Sequence, residues 1–172
     1  MRGSERFTQR ASTAITKAHD AALGMGHSYV GTEHLLLGII REGEGLGARI
    51  LTDNALTDAV LTRMVTETVG RGVPGAHEQG LSPRARHVIE LAAEDANRLG
   101  HCYVGTEHIL MGILREADSA GARIIVAAGG DLNKIYTDIM DVFGRPGYIP
   151  RPQQSAAGSQ TRRAAPTRTP GQ

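Results

Sequence analysis

Two pairs of adjacent residues could do chemistry: Glu33 with His34, and Glu107 with His108. A carboxylate beside an imidazole suggests a general base or part of a metal site, and His27 and His101 lie seven positions before the two histidines. The spacing argues against both uses. Neighbours on a helix point about 100° apart, so Glu33 and His34 cannot converge on one ion, and no H-E-x-x-H occurs. The pattern calls for a packed or turn-bonding histidine in each case, with a small metal-dependent hydrolase using the His/Glu pairs as the alternative reading. Ser, His and Asp are all present, but no G-x-S-x-G elbow presents a nucleophile, so no residue is assigned as catalytic.

Anion binding is the other chemistry in view. Thr8 and Ser82 each precede a run of helical spacing, where a hydroxyl caps free N–H groups and the helix dipole favours negative charge. A cap alone contributes about 1 kcal/mol in any protein, so it does not by itself indicate a ligand.

These residues recur because the chain is written twice. Tyr29-Val30-Gly31-Thr32-Glu33-His34 returns as Tyr103-Val104-Gly105-Thr106-Glu107-His108, and the same offset of 74 aligns Phe7-Thr8 with Leu81-Ser82 and Arg10-Ala11 with Arg84-Ala85. A unit of that length is longer than solenoid periods, so the pattern reads as two compact copies. In each, a capped first helix carries an apolar face: Ala11, Ala14, Ile15, Ala18 and Ala22, then Ala85, Val88, Ile89, Ala92 and Ala96. Pro83 sits at a first helical position, where its missing N–H costs nothing. The hexapeptide predicts a turn into a second helix, with Gly31 or Gly105 bending, Thr32 or Thr106 capping, and Glu33 or Glu107 in the first turn. A short third helix follows Gly43 or Ser119, and a fourth runs over about 57–69 or 131–143. No segment alternates long enough to argue a sheet. The fold class is all-α, an eight-helix double repeat, with copies over 5–71 and 81–145 and a Gly/Pro-rich linker over 72–80. Whether the copies share a core stays open.

Composition narrows the remaining classes. The longest apolar run, Leu35 to Ile40, is too short to span a bilayer, and no signal-peptide pattern opens the chain, so a cytoplasmic location is expected. Residues 1–4 read as a leader. Cys102 is the single cysteine, its counterpart is Ser28, and neither a disulfide nor a thiolate cluster is expected. Five arginines and no acidic residue follow Asp141, and residues 146–172 read as a disordered basic tail rich in Pro, Gly, Ser and Thr. Tryptophan is absent and the rest of the chain is acidic, which sets nucleic acid aside as the main partner.

With the Arg6-Phe7-Thr8 opening, the Ser82-Pro83-Arg84-Ala85 restart and the doubled Gly-Thr-Glu-His in hand, residues 4–145 resemble the N-terminal domain of the Clp unfoldases, most of all the ClpC type. The resemblance implies an eight-helix double repeat that docks adaptors and substrates. The chain holds no G-x-x-x-x-G-K-[ST] phosphate loop, so it is expected to bind rather than to hydrolyse ATP, with no cofactor. Such a module could sequester ligands from a full unfoldase or deliver cargo. Related domains bind phosphorylated arginine once per repeat, and the matching residues are Thr8 with Glu33 and Ser82 with Glu107. The resemblance also implies a surface for cyclic-peptide antibiotics or adaptors at Ser4, Phe7, Ile15, Leu81, Arg86, Ile89 and Glu90. Ser4 and Leu81 depart from the phenylalanines usual in mycobacterial relatives, which removes apolar contact.

Overall fold

A computed structural model describes residues 6–75, 77 and 79–145. The leader (1–4) and the basic tail (146–172) lie outside the described residues. Eight helices appear among them, in the order α1 (Gln9–Gly24), α2 (Thr32–Glu42), α3 (Leu46–Asp53), α4 (Asp58–Thr68), α5 (Pro83–Arg98), α6 (Thr106–Arg115), α7 (Ala120–Ala127) and α8 (Leu132–Phe143). Among the described residues, extended pairing is limited to two single-residue parallel bridges, Phe7 with Val104 and Val30 with Leu81. The all-α double repeat is the architecture of the chain.

The first helices begin at their hydroxyl caps. Thr8 Oγ1 accepts from Ala11 N at 3.0 Å, and Ser82 Oγ accepts from Ala85 N at 3.1 Å. Alanine dominates the buried face of α1 because α2 lies very close. At Gly38 an added Cβ would collide with the carbonyl oxygen of Ala14, and at Gly112 it would fall 2.7 Å from that of Val88. The two glycines thus let α2 and α6 press against the backbones of α1 and α5 at equivalent points.

Leu36, Leu37, Ile39 and Leu51 from the first copy and Leu110, Ile113 and Ile125 from the second are wholly buried in one continuous core. Neither copy therefore keeps a core of its own.

The threonines of the hexapeptides differ from the sequence expectation. Gly31 and Gly105 occupy the N-cap positions of α2 and α6, and Thr32 and Thr106 are the first helical residues. The cap N–H of Gly31 is taken by His34 Nδ1 at 2.8 Å, and that of Gly105 by His108 Nδ1 at 2.9 Å. Relieved of that task, each threonine reaches across the molecule. Thr32 Oγ1 accepts from Gly121 N of α7 at 2.8 Å, and Thr106 Oγ1 accepts from Gly47 N of α3 at 3.0 Å. The copies cap each other's short helices.

Copies also diverge. Buried Asp95 accepts from Arg98 at 2.7 Å and Arg115 at 2.6 Å. The position equivalent to Asp95 in the first copy is Ala21, so Arg41, the counterpart of Arg115, bonds Asp58 and Thr62 of α4 instead.

Thr32→Val and Thr106→Val keep shape and remove an acceptor from a buried N–H, at a cost of about 1–3 kcal/mol each. Thr106→Val should cost more, because Ser119 also caps α7 whereas Gly45, the cap of α3, has no side chain to offer. Urea denaturation followed by circular dichroism should show one lowered transition for both halves; unchanged midpoints would rule the cross-caps out as a source of stability.

Candidate functional site

The helix N-termini that could receive an anion are placed by the two bridges. Thr8 N donates to Val104 O at 2.9 Å and Val104 N donates to Arg6 O at 2.8 Å. In the mirror arrangement Ser82 N donates to Val30 O, and Val30 N donates to Gly80 O, both at 2.9 Å. Each cap is therefore pinned beside the hexapeptide of the other copy. The family resemblance pairs Thr8 with Glu33 and Ser82 with Glu107; the backbone brings Thr8 to the turn that carries Glu107, and Ser82 to the turn that carries Glu33. The offset reveals which residues are equivalent, and equivalence says nothing of which copy supplies a neighbour.

Within each turn the carboxylate folds back over its own helix start. A Cβ on Gly31 would overlap Glu33 Oε1, and one on Gly105 would lie 2.5 Å from Glu107 Oε1. Both glycines have extended backbones that any residue adopts, with φ of −97° and −102°, so their use is to leave room for the carboxylate. Burial pushes the Glu33 carboxyl above its usual range, opposed by a hydrogen bond from its own backbone and by the nearby His27. Glu107 is buried as well. A half-desolvated carboxylate next to a helix N-terminus suits a cation that itself carries an anionic group.

Two arginines that align in the repeat but carry no assigned site role in the sequence lie at the same helix starts. Arg10 is the second residue of α1, with Nη1 3.8 Å from Glu42 and 3.2 Å from Glu44, and Arg84 is the second residue of α5, 3.2 Å from Glu116. A cation in a first helical turn opposes the dipole. Its recurrence at the 74-residue offset was the available signal.

The histidines form hydrogen-bonded pairs. His34 Nδ1 accepts from the Gly31 amide, which can only donate, so the neutral ring carries its proton on Nε2 and donates it to His27 Nδ1 across 2.7 Å. His27 in turn donates from Nε2 to Gly70 O at 2.7 Å. His108 and His101 repeat the arrangement at 2.8 Å. Every ring nitrogen of His27 and His34 is spent on this chain, leaving no lone pair for a metal, as a turn-bonding role requires. Burial, with the neighbouring His27 and Arg41, pulls His34 down to about 4, and burial with His101 pulls His108 down to about 3.

The proposed apolar surface is only partly assembled. Phe7 and Leu81 are the bridge residues and stay half-buried against the core, as does Ile15. Arg86 is exposed and donates to Leu81 O at 3.2 Å, while exposed Glu90 lies 3.8 Å from His87. Ile89 is only 6% exposed and has little surface to offer. Ser4 lies outside the described residues. Cys102 is exposed, and no described helix is long and apolar enough to cross a membrane.

The family model of the Clp repeat (R) N-terminal domain matches residues 6–128 and 80–165. The chain is 40% identical over 162 residues to the negative regulator of genetic competence ClpC/MecB of Bacillus subtilis (strain 168), covering 94% of this chain and 20% of that protein. It thus spans about a fifth of the length of this curated relative. Among solved structures, the N-terminal domain of the chaperone ClpD from Arabidopsis thaliana is similar with a TM-score of 0.69 at 25% identity, covering 81% of this chain and 98% of that one. A ClpV N-domain in complex with a VipB peptide shares the fold, with a TM-score of 0.62 at 15% identity over 79% of this chain and 88% of that one.

The paired histidines predict how stability follows pH. Unfolded histidine binds a proton near pH 6.5, whereas folded His34 and His108 refuse it until about 4 and about 3. Their contribution is complete above pH 6.5 and is lost as pH falls from there toward 4. Raised Glu33 works in the opposite sense, favouring the fold once protonated, but its range begins nearer the ordinary carboxylate value. Urea midpoints at pH 7.5, 6 and 5 should fall steadily, and a flat profile over that interval would contradict the assignment of neutral buried rings.

Proposed function

Because the chain belongs to the Clp repeat (R) N-terminal domain family, we propose that it is a protein-binding module of the Clp proteolysis system, without catalysis of its own, that recognises arginine-phosphorylated proteins and adaptors. The observation that carries this reading is the meeting of a hydroxyl-capped helix N-terminus with a carboxylate-bearing turn, made twice and each time between copies. Phosphoarginine joins a dianionic phosphate to a guanidinium. The free N–H groups behind Thr8 or Ser82 would receive the phosphate, and Glu107 or Glu33 would accept the guanidinium N–H bonds. Either half alone is ordinary helix chemistry; both within one short span match a ligand of mixed charge.

Other features support a binding role. The matched ClpC/MecB relative is about five times as long as this chain, so its activity as a whole is not carried over here. A ClpV N-domain of the same fold holds a VipB peptide, which is consistent with a peptide-docking scaffold. The raised carboxyl pKa of Glu33 marks a group that gains from a cationic partner. In this reading the fold tolerates a poorly solvated carboxylate because a ligand uses it.

Calorimetry with phosphoarginine tests the reading. The chain should bind with micromolar affinity, about −8 kcal/mol, and Glu33→Ala with Glu107→Ala should abolish the heat of binding; an unaltered isotherm would overturn the site. Amide shifts distinguish the partners. With Glu107→Ala alone, phosphoarginine should still move the Arg84 amide behind Ser82 and should no longer move the Arg10 amide behind Thr8, whereas pairing within one copy would give the reverse.

A further inference from the structure

The hydrogen-bonded histidines link parts of the first copy that no helix joins. Starting at the Gly31 amide, the chain passes through His34 and His27 to the carbonyl of Gly70, just beyond α4. The linker follows at once. Gly72 N donates to Met25 O at 2.8 Å, and a Cβ on Gly72 would collide with Gly26 O. The hexapeptide turn, the end of α1, the end of α4 and the linker are held at one point.

The proton count of this chain is fixed. Three donors, Gly31 N–H, His34 Nε2–H and His27 Nε2–H, face three acceptors, His34 Nδ1, His27 Nδ1 and Gly70 O. A fourth proton has nowhere to go. Placed on His27 it sets Nδ1–H against His34 Nε2–H, and placed on His34 it sets Nδ1–H against the Gly31 amide; a tautomer shift only moves the conflict from one contact to the other. The charged groups facing the pair are Glu33, whose Oε2 is 3.9 Å from His34 Nδ1, and Arg41 of the last turn of α2, which opposes protonation. From the α4 side the facing group is the Gly70 carbonyl.

The second copy closes the same pair differently. Phe143 lies edge-on to His101 at 4.8 Å and stacks on His108 at 5.1 Å. The equivalent position in the first copy is Val69, 43% exposed. The second pair has the same hydrogen bonds and, in addition, a ring packed on both imidazoles that holds the end of α8 by a contact a proton does not abolish; the first copy has the bonds without that ring. Burial and His101 both oppose a proton on His108, and Asp95 of α5 only partly offsets them, so the second pair stays neutral.

We propose that the first copy carries an acid-operated latch, in which a proton added to the His27–His34 pair parts the hexapeptide turn from the end of α4 and the linker, while Phe143 keeps the second copy closed. Local opening of this kind exposes backbone amides without global unfolding.

Hydrogen exchange on the whole chain, read by mass spectrometry at about pH 7.5 and pH 5.5 and corrected for intrinsic rates, tests it. Peptides over 26–35 and 66–75 should lose on the order of tenfold protection at the lower pH, and those over 100–109 and 139–145 less than about twofold. Val69→Phe, at an exposed site that can take the ring, should remove the acid response of the first copy, and Phe143→Val should create one in the second. Equal loss in both copies, no loss in the first, or a response in Val69→Phe as large as in the parent would overturn the latch.

Discussion

Two hydroxyl-to-amide bonds govern how the halves of this molecule meet: Gly121 N to Thr32 Oγ1, and Gly47 N to Thr106 Oγ1. Helices of eight residues leave a large share of their amides unserved, and a buried N–H must find an acceptor. The acceptor comes from the other copy. Close approach follows, since a Cβ on Gly121 would sit 2.9 Å from Thr32 O and one on Gly47 would sit 3.1 Å from Thr106 O. That approach merges the two apolar faces into one core and sets the register in which the caps at Thr8 and Ser82 reach the opposite turns.

One short sequence thus carries several duties. In Gly-Thr-Glu-His the glycine leaves room for a carboxylate, the threonine caps a helix of the other copy, and the histidine caps its own. The glutamate enters the first helical turn, and in the first copy Glu33 does so while half-buried. Its backbone hydrogen bond lowers its proton affinity less than burial raises it, so the side chain sits at a net cost to the ionised form. A carboxyl group whose ionisation is opposed by burial is where ligand chemistry is most readily sought.

Much of the fold was legible in the sequence. The caps at Thr8 and Ser82, the starts of the fourth helices near 57 and 131 and the stop at Gly43 obey local rules, since each concerns amides within a few residues of the signal. Gly31 and Thr32 were misassigned because a histidine at the third helical position took the cap amide, a competitor that a Ser/Thr cap rule does not weigh. The site was half legible. Thr8, Glu33, Ser82 and Glu107 stand out by repetition, but a repeat identifies equivalent residues and leaves their contacts unspecified. Arg10 and Arg84 stand in the sequence as markers of the repeat, but their conflict with the helix dipole is not weighed there, and the Asp95 cluster breaks the repeat and so could not be read from it.

The bonds that cross between the copies are those of an isologous dimer, in which patch i meets patch j and patch j meets patch i. A lone copy would have to find a second copy in solution to make them. The stretch from Gly72 to Gly80 turns that encounter into a unimolecular one, with an effective concentration on the order of millimolar for so short a tether. Stability therefore does not depend on how dilute the protein is. Joining the halves also frees them from identity: a dimer of one sequence would carry Asp95 in both subunits or in neither, and Phe143 likewise, whereas the tethered chain can place a buried ion cluster on one side and an aromatic clasp on the same side, leaving the other to respond differently.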